Sequence, residues 1–204
     1  MTRLLTEWQP LCKDGMCRID ILTEAEKQQR NEGFTMLTGI IQVADAVNGN
    51  GRIYPRRVLD SEMKKYEKLI RENRAYGECD HSDKEIVELQ NVSHMLVRYF
   101  WENANIMGVI KVFKTPKGQI LESILQGGGT LGISSRALGS LTETAQGNVV
   151  NEDLALIAFD IVSAPSAPGA YLQLKEGQER AFDYKKAFTK ADRIYRSLRD
   201  VLEK

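Results

Sequence analysis

Ile86 to Phe113, with Val92, Val97, Tyr99 and Phe100, then Ile106, Val109, Ile110 and Val112, split near Glu102-Asn103, is the stretch that decides the fold class. Two runs of β-branched and aromatic residues flank a short polar break, and Pro116-Lys117-Gly118 closes the second, which is the pattern of two antiparallel strands. Upstream, Met36 to Val47 is strand-like and runs into the turn chemistry of Asn48-Gly49-Asn50-Gly51. Pro55 then opens a helix, with Val58, Leu59, Met63, Tyr66, Leu69 and Ile70 recurring mostly at steps of three and four up to Asn73. Downstream, Gln119 to Leu125 predicts a short helix stopped by Gly127-Gly128-Gly129, and Leu154 to Val162 predicts a strand before a Ser-Ala-Pro loop. The sum is a mixed, largely antiparallel α+β domain.

The ends read differently. Residues 1–33 mix charged and apolar groups without a sustained period, so they predict an extension with a surface helix or linker at Glu24 to Glu32. The body is expected to run from 34 to 176. From Gly177 onward Tyr184, Phe188, Ala191, Tyr195, Leu198 and Leu202 recur at alternating steps of four and three, which predicts one amphipathic helix over 177–204. Periodicity alone does not separate a helix packed on its own domain from a partner-binding or removable one.

Composition narrows the function classes. At 204 residues with 42% hydrophobic content the chain is long enough for one domain with a real core. Its 28 basic and 28 acidic residues cancel, so no global field draws it to nucleic acid or to an anionic membrane surface. The absence of a membrane-length apolar run and of a signal peptide predicts a soluble protein that is not secreted by that route. Cys12, Cys17 and Cys79 make an odd set without CxxC spacing, against a disulfide framework or a thiolate metal site, and fit a reducing cytoplasm. No metal ligand pattern such as HExxH and no phosphate loop is present, so neither metal nor cofactor is expected.

Histidine is the scarce chemical ingredient, because only His81 and His94 exist. A serine nucleophile needs an imidazole to take its proton and a carboxylate to fix the imidazole tautomer. His94 lies inside an apolar strand, where a hydrogen-bonded structural role is expected. His81 follows Gly77-Glu78-Cys79-Asp80 in a polar loop, a place where scaffolds present functional groups. Ser134 and Ser135 sit between a Gly-rich segment and Gly139, compatible with close approach of a substrate backbone and equally with a turn that needs small residues. Cys79 stands two residues from His81, too local for the usual thiol–imidazole pair across a cleft.

Gly132-Ile133-Ser134-Ser135-Arg136-Ala137-Leu138-Gly139-Ser140-Leu141, Gly77-Glu78 with His81 three residues on, Asn48-Gly49-Asn50-Gly51-Arg52-Ile53-Tyr54-Pro55, and Asp160 with Ser163 to Pro168 occur in one order. Together they resemble the prohead core proteases of T-even-like tailed phages over about Met36 to Tyr171. The resemblance implies kinship with the herpesvirus maturation proteases, and so a mainly antiparallel β-barrel surrounded by helices. It implies Ser134 as nucleophile, His81 as general base and Asp160 in the third position. The family often has Asn-His-Pro where this chain has Asp80-His81-Ser82, which makes Asp80 a rival partner for the imidazole. Arg136 is a candidate for the oxyanion site through its backbone, for organising the loop or simply for a carboxylate pair; Gly169 and Ala170 are candidates to approach the nucleophile.

The implied function is a viral serine endopeptidase that trims scaffold, core and capsid-associated proteins inside the assembling head in the host cytoplasm. The alternative is a non-catalytic scaffold or core-binding protein that keeps the fold. Whether the chain works as a homo-oligomer is left open. Members of the family resemble one another in cutting after Glu, before Ala or Gly, with Leu or Ile two residues ahead of the Glu. Leu22-Thr23-Glu24-Ala25 and Leu174-Lys175-Glu176-Gly177 match, so self-cleavage after Glu24 and Glu176 is expected.

Overall fold

The two hydrophobic runs pair as neighbouring strands of a four-stranded sheet. The structure, a computed structural model, describes residues 3–10 and 21–163, with Leu5 the one described side chain of the first segment. Strands β1 (Arg3–Pro10) and β2 (Met36–Val43) are separated by helix α1 (Glu24–Asn31). Strand β3 (Arg52–Ile53), helix α2 (Arg56–Arg71) and strand β4 (Tyr76–Glu78) follow. A short 3-10 helix (Leu89–Asn91) leads into the antiparallel pair β5 (Val92–Glu102) and β6 (Asn105–Val112), turned at Asn103 with φ 56°. Helix α3 (Pro116–Gln126) precedes β7 (Gly132–Gly139), β8 (Leu141–Thr144), β9 (Gly147–Val150) and β10 (Ala155–Val162). None of these helices is long and apolar enough to cross a membrane.

The helices start and stop for local reasons. Thr115 caps α3 by accepting from the Gly118 amide at 3.1 Å, with Pro116 in the first turn, and Gly128 leaves the helix at φ 79°. Pro55 stands at the cap of α2, whose Val58, Leu59, Met63 and Tyr66 enter the core. Tyr66 meets Phe159 of β10 edge-on, ring centroids 5.7 Å apart.

Three sheets result, ordered β1-β7-β10, β2-β6-β5-β4 and β3-β9-β8. The first two meet at an isolated parallel bridge between Cys79 and Ile161, and β1 lies against β2 without a hydrogen-bonded ladder. The expected barrel is therefore corrected: among the described residues the strands are mostly antiparallel but do not close into a ring. Two register shifts, at Ile40/Gln42 and Leu96/Arg98, interrupt the β2–β6 and β6–β5 pairing.

The expected start of the body near Phe34 also moves. β1 pairs antiparallel with β7 from Arg3↔Gly139 to Pro10↔Gly132, and Leu5 is fully buried. Helix α1 is held by a Thr23–Glu26 capping box and by Arg98, whose Nε donates to Glu26 Oε1 at 2.9 Å. A polar helix without a strong apolar face docks here through an ion pair, which periodicity cannot reveal. The amphipathic helix expected over 177–204 lies outside the described residues, as do Gly169, Ala170, Glu176 and Gly177.

Candidate active site

β7 is the middle strand of its sheet, with β1 on one edge and β10 on the other. Its small residues are explained by that position, since the strand is buried on both faces; Ser134 and Ser135 lie in this strand and not in a turn. Strand alternation sends neighbouring side chains to opposite faces. Ser135 accepts from Gln42 Nε2 at 3.3 Å and lines a small, mostly apolar cavity of about 10 Å³ with Tyr54, Met63 and Phe159. Ser134 faces the other way, where Asp160 of β10 is its register partner.

Directly opposed strand residues hold their side chains close together, so this pairing by itself puts a hydroxyl beside a carboxylate. His81 reaches in between them. It follows β4 through Asp80, whose φ of 73° turns the chain and whose amide donates to Ile161 O at 2.8 Å. His81 Nε2 is 2.8 Å from Ser134 Oγ, and its Nδ1 is 3.1 Å from Asp160 Oδ2. A carboxylate accepts and does not donate, so Nδ1 carries the hydrogen and Nε2 is free to accept from the serine hydroxyl. Ser134 is 2% and Asp160 0% exposed, while the His81 side chain is 30% exposed at an open cleft of about 430 Å³.

Asp160 is built to stay ionised. Its oxygens accept from His81, from the Glu78 amide at 3.0 Å, and from Arg136 Nε at 2.8 Å and Nη2 at 3.3 Å. Burial opposes its charge most strongly, but the His81 hydrogen bond, the Arg136 cation and the Glu78 amide together outweigh it and hold the carboxyl below its ordinary value. Asp80, the rival partner, instead accepts from the His81 backbone amide at 3.3 Å.

The other candidates separate clearly. His94 donates from Nε2 to Phe159 O at 2.8 Å and takes the Ser93 hydroxyl on Nδ1 at 2.8 Å. Burial pushes it down to about 4, so it is a neutral framework residue. Burial pushes the Cys79 thiol up, away from the thiolate that nucleophilic chemistry needs. The Arg136 side chain is fully buried against Asp160 and Glu78, and its Nη1 donates to Lys84 O at 2.7 Å. Of its three sequence-level alternatives, the structure displays the carboxylate pair and the loop contact. Glu24 and Ala25 form the first turn of α1 inside the capping box, within the stretch expected to be a surface helix or linker.

Glu78 was not among the expected site residues. Its amide holds Asp160 and its side chain meets Arg136, and only the Gly77-Glu78 pair ahead of His81 hinted at it. Gly77 itself is required: a Cβ there would lie 2.1 Å from Phe159 O and 2.3 Å from His94 Nε2.

A hydroxyl, an imidazole and a buried carboxylate in one line can move a proton off the hydroxyl and stabilise the resulting imidazolium. A profile described as prohead core protein serine protease matches residues 11–181. The chain belongs to that family. The prohead core protein protease of Enterobacteria phage T4 is 32% identical over 173 residues, spanning 82% of this chain and 81% of that protein. The solved structure of the bacteriophage T4 capsid assembly protease superposes with a TM-score of 0.67 at 27% identity, covering 80% of this chain and 99% of that one. Family membership and the mainly antiparallel α+β fold thus agree with the sequence-level expectation.

Proposed function

We propose that this member of the prohead protease family is a serine endopeptidase that cuts core and capsid-associated proteins, and itself, within the assembling phage head in the host. The observation that carries the reading is the Ser134 Oγ to His81 Nε2 contact of 2.8 Å, with Asp160 on the far ring nitrogen. His81 Nε2 takes the hydroxyl proton as Oγ attacks the substrate carbonyl carbon. The imidazolium, steadied by Asp160, then gives that proton to the leaving amine as the C–N bond breaks. Water, deprotonated by the same His81, releases the acyl group and restores Ser134.

The kinship with herpesvirus maturation proteases belongs to this reading, with Asp160 standing where those enzymes carry a second histidine. So do the removable ends at Glu24 and Glu176. Because Glu24 opens a capped helix, cutting after it requires that the first turn of α1 unwind. Incubating purified wild type and Ser134→Ala with prohead core proteins, and sequencing the products by mass spectrometry, tests the reading. Cuts after Glu in wild type and none with the variant are expected; equal cutting by both would overturn it.

A further inference from the structure

Arg136 makes an unusual set of contacts for a buried cation. It stands two residues from Ser134 on the same face of β7, and its guanidinium joins three separate pieces of chain. On β10 it holds both oxygens of Asp160, at 2.8 and 3.3 Å. On β4 its Nη2 is 3.1 Å from Glu78 Oε2, a charge contact without good hydrogen-bond alignment. In the loop after His81 its Nη1 donates to Lys84 O at 2.7 Å and, more weakly, to Ser82 O and Ile86 O at 3.5 Å each. The other oxygen of Glu78, Oε1, accepts from the Glu88 amide. The pair therefore grips the segment that follows the base at both ends, from Ser82 to Glu88.

The same pair sets the local charge. Arg136 supplies one positive charge, while Glu78 and Asp160 supply two negative ones, all three side chains being at most 1% exposed. Nearby titratable groups do not alter the balance. Tyr66 on α2 is kept a neutral phenol, pushed far up by burial and then by Asp160, and His94 on β5 is neutral. Cys79 is a thiol; Asp80, Asp83 and Lys84 line the open cleft beside His81, where solvent screens them, and Lys84 pairs with Glu88. One uncompensated negative charge is left in the low-dielectric interior behind the imidazole.

We propose that Glu78 and Arg136 are a positioning pair for the hydrolytic reaction: Arg136 fixes the His81 loop and the Asp160 carboxylate, and Glu78 leaves the cluster the single negative charge that the His81 imidazolium neutralises during acyl transfer. The inference rests on the protease reading above. If Asp160 alone faced Arg136, the pair would already be neutral and forming the imidazolium would leave the cluster with a net positive charge. With Glu78 present, forming the imidazolium brings the cluster to zero net charge.

Glu78→Gln removes the charge, keeps the shape and keeps an oxygen for the Glu88 amide. The full-length protein is followed by NMR of the histidine rings, with kcat/KM measured across pH in parallel. The His81 signals of Glu78→Gln are expected to titrate at lower pH than in wild type, because loss of a negative charge from the cluster disfavours the imidazolium. The acidic limb of kcat/KM moves the same way, with less than a tenfold loss on the plateau. Arg136→Lys keeps the charge but lacks the fork that reaches carbonyls and carboxylate together, so its plateau kcat falls about 10²-fold with little movement of the titration. An unshifted His81 titration in folded Glu78→Gln, or a wild-type plateau in Arg136→Lys, would overturn the proposal. Glu78→Gln decides alone if Arg136→Lys does not fold. An inactive wild type would count against the protease reading, while the NMR titration still decides this inference.

Discussion

Asp160→Asn is the substitution whose outcome depends most on the geometry described. The native carboxylate accepts four contacts, from His81 Nδ1, Arg136 Nε, Arg136 Nη2 and the Glu78 amide, and donates none. Asparagine has one acceptor oxygen and one donor NH2. Whichever way it turns, a donor faces a donor at one end: either His81 Nδ1–H and Arg136 Nε–H, or the Glu78 amide and Arg136 Nη2. If the NH2 faces His81, the ring takes the opposite tautomer and Nε2 carries a hydrogen, so it can no longer accept from Ser134. Loss of the orienting carboxylate in a serine triad costs about 10⁴-fold, or roughly 5.5 kcal/mol of transition-state stabilisation. Removing the nucleophile costs about 10⁶-fold. Asp160→Asn should therefore retain about 10²-fold more activity than Ser134→Ala. It should also lose on the order of 3 kcal/mol of stability, because the buried Arg136 loses one of its two carboxylates. The assay is kcat/KM on a fluorogenic peptide, with urea unfolding on the same preparations. Asp80→Asn is the control, since its side chain accepts from the His81 backbone amide at 3.3 Å rather than from the ring, and Asn tolerates φ near 73°; a change within about threefold is expected. A folded Asp160→Asn within tenfold of wild type, or a crippled Asp80→Asn, would refute the assignment of the third member.

Ser135→Ala should keep activity within about tenfold, because Ser135 faces Gln42 across β7 from His81; peptide turnover checks it. Gly77→Ala should cost about 3 kcal/mol or more in urea unfolding, as its Cβ has no space between Phe159 O and His94 Nε2. His94 has a folded value of about 4, below its unfolded one, so its contribution to stability is fully present above about pH 6.5 and is lost as pH falls from there towards 4. Urea unfolding should show about 2 kcal/mol lost between pH 7 and 5, and a folded His94→Gln should flatten that slope. Wild-type preparations should yield fragments ending at Glu24 or Glu176 that Ser134→Ala lacks; intact termini in an active enzyme would remove the self-processing proposal.

The strands built from β-branched and aromatic residues and the helices with recurring apolar residues were legible in the sequence. β5, β6 and α2 fall where the apolar runs and Pro55 place them, while α3, expected over Gln119 to Leu125, starts at Pro116, a residue that also closes the preceding strand. β7 was not legible as a strand, because a middle strand of Gly, Ser and Ala carries little intrinsic β signal and is fixed by neighbours on both edges. β1 was missed for a related reason: its partner β7 lies more than a hundred residues away, and an N-terminal stretch without regular alternation does not announce it. β4 has three residues and β3 two, too short for any period. At the site, the scarcity of histidine and the motif resemblance pointed to His81, Ser134 and Asp160, which the structure brings together. Strand alternation, visible only once β7 is known to be a strand, separates Ser134 from Ser135. The contacts of Glu78 and Arg136 cross three elements, and no spacing in the sequence encodes them.

The most direct test of the central claim is covalent labelling. Folded wild type, Ser134→Ala and Ser135→Ala are treated with a serine-reactive phosphonate, digested and mapped by mass spectrometry. An adduct on Ser134 in wild type and in Ser135→Ala, none in Ser134→Ala, and loss of peptide hydrolysis in step with the adduct are predicted. An active enzyme labelled at Ser135 or Cys79 instead, or a folded Ser134→Ala that still hydrolyses peptides at the wild-type rate, would contradict it.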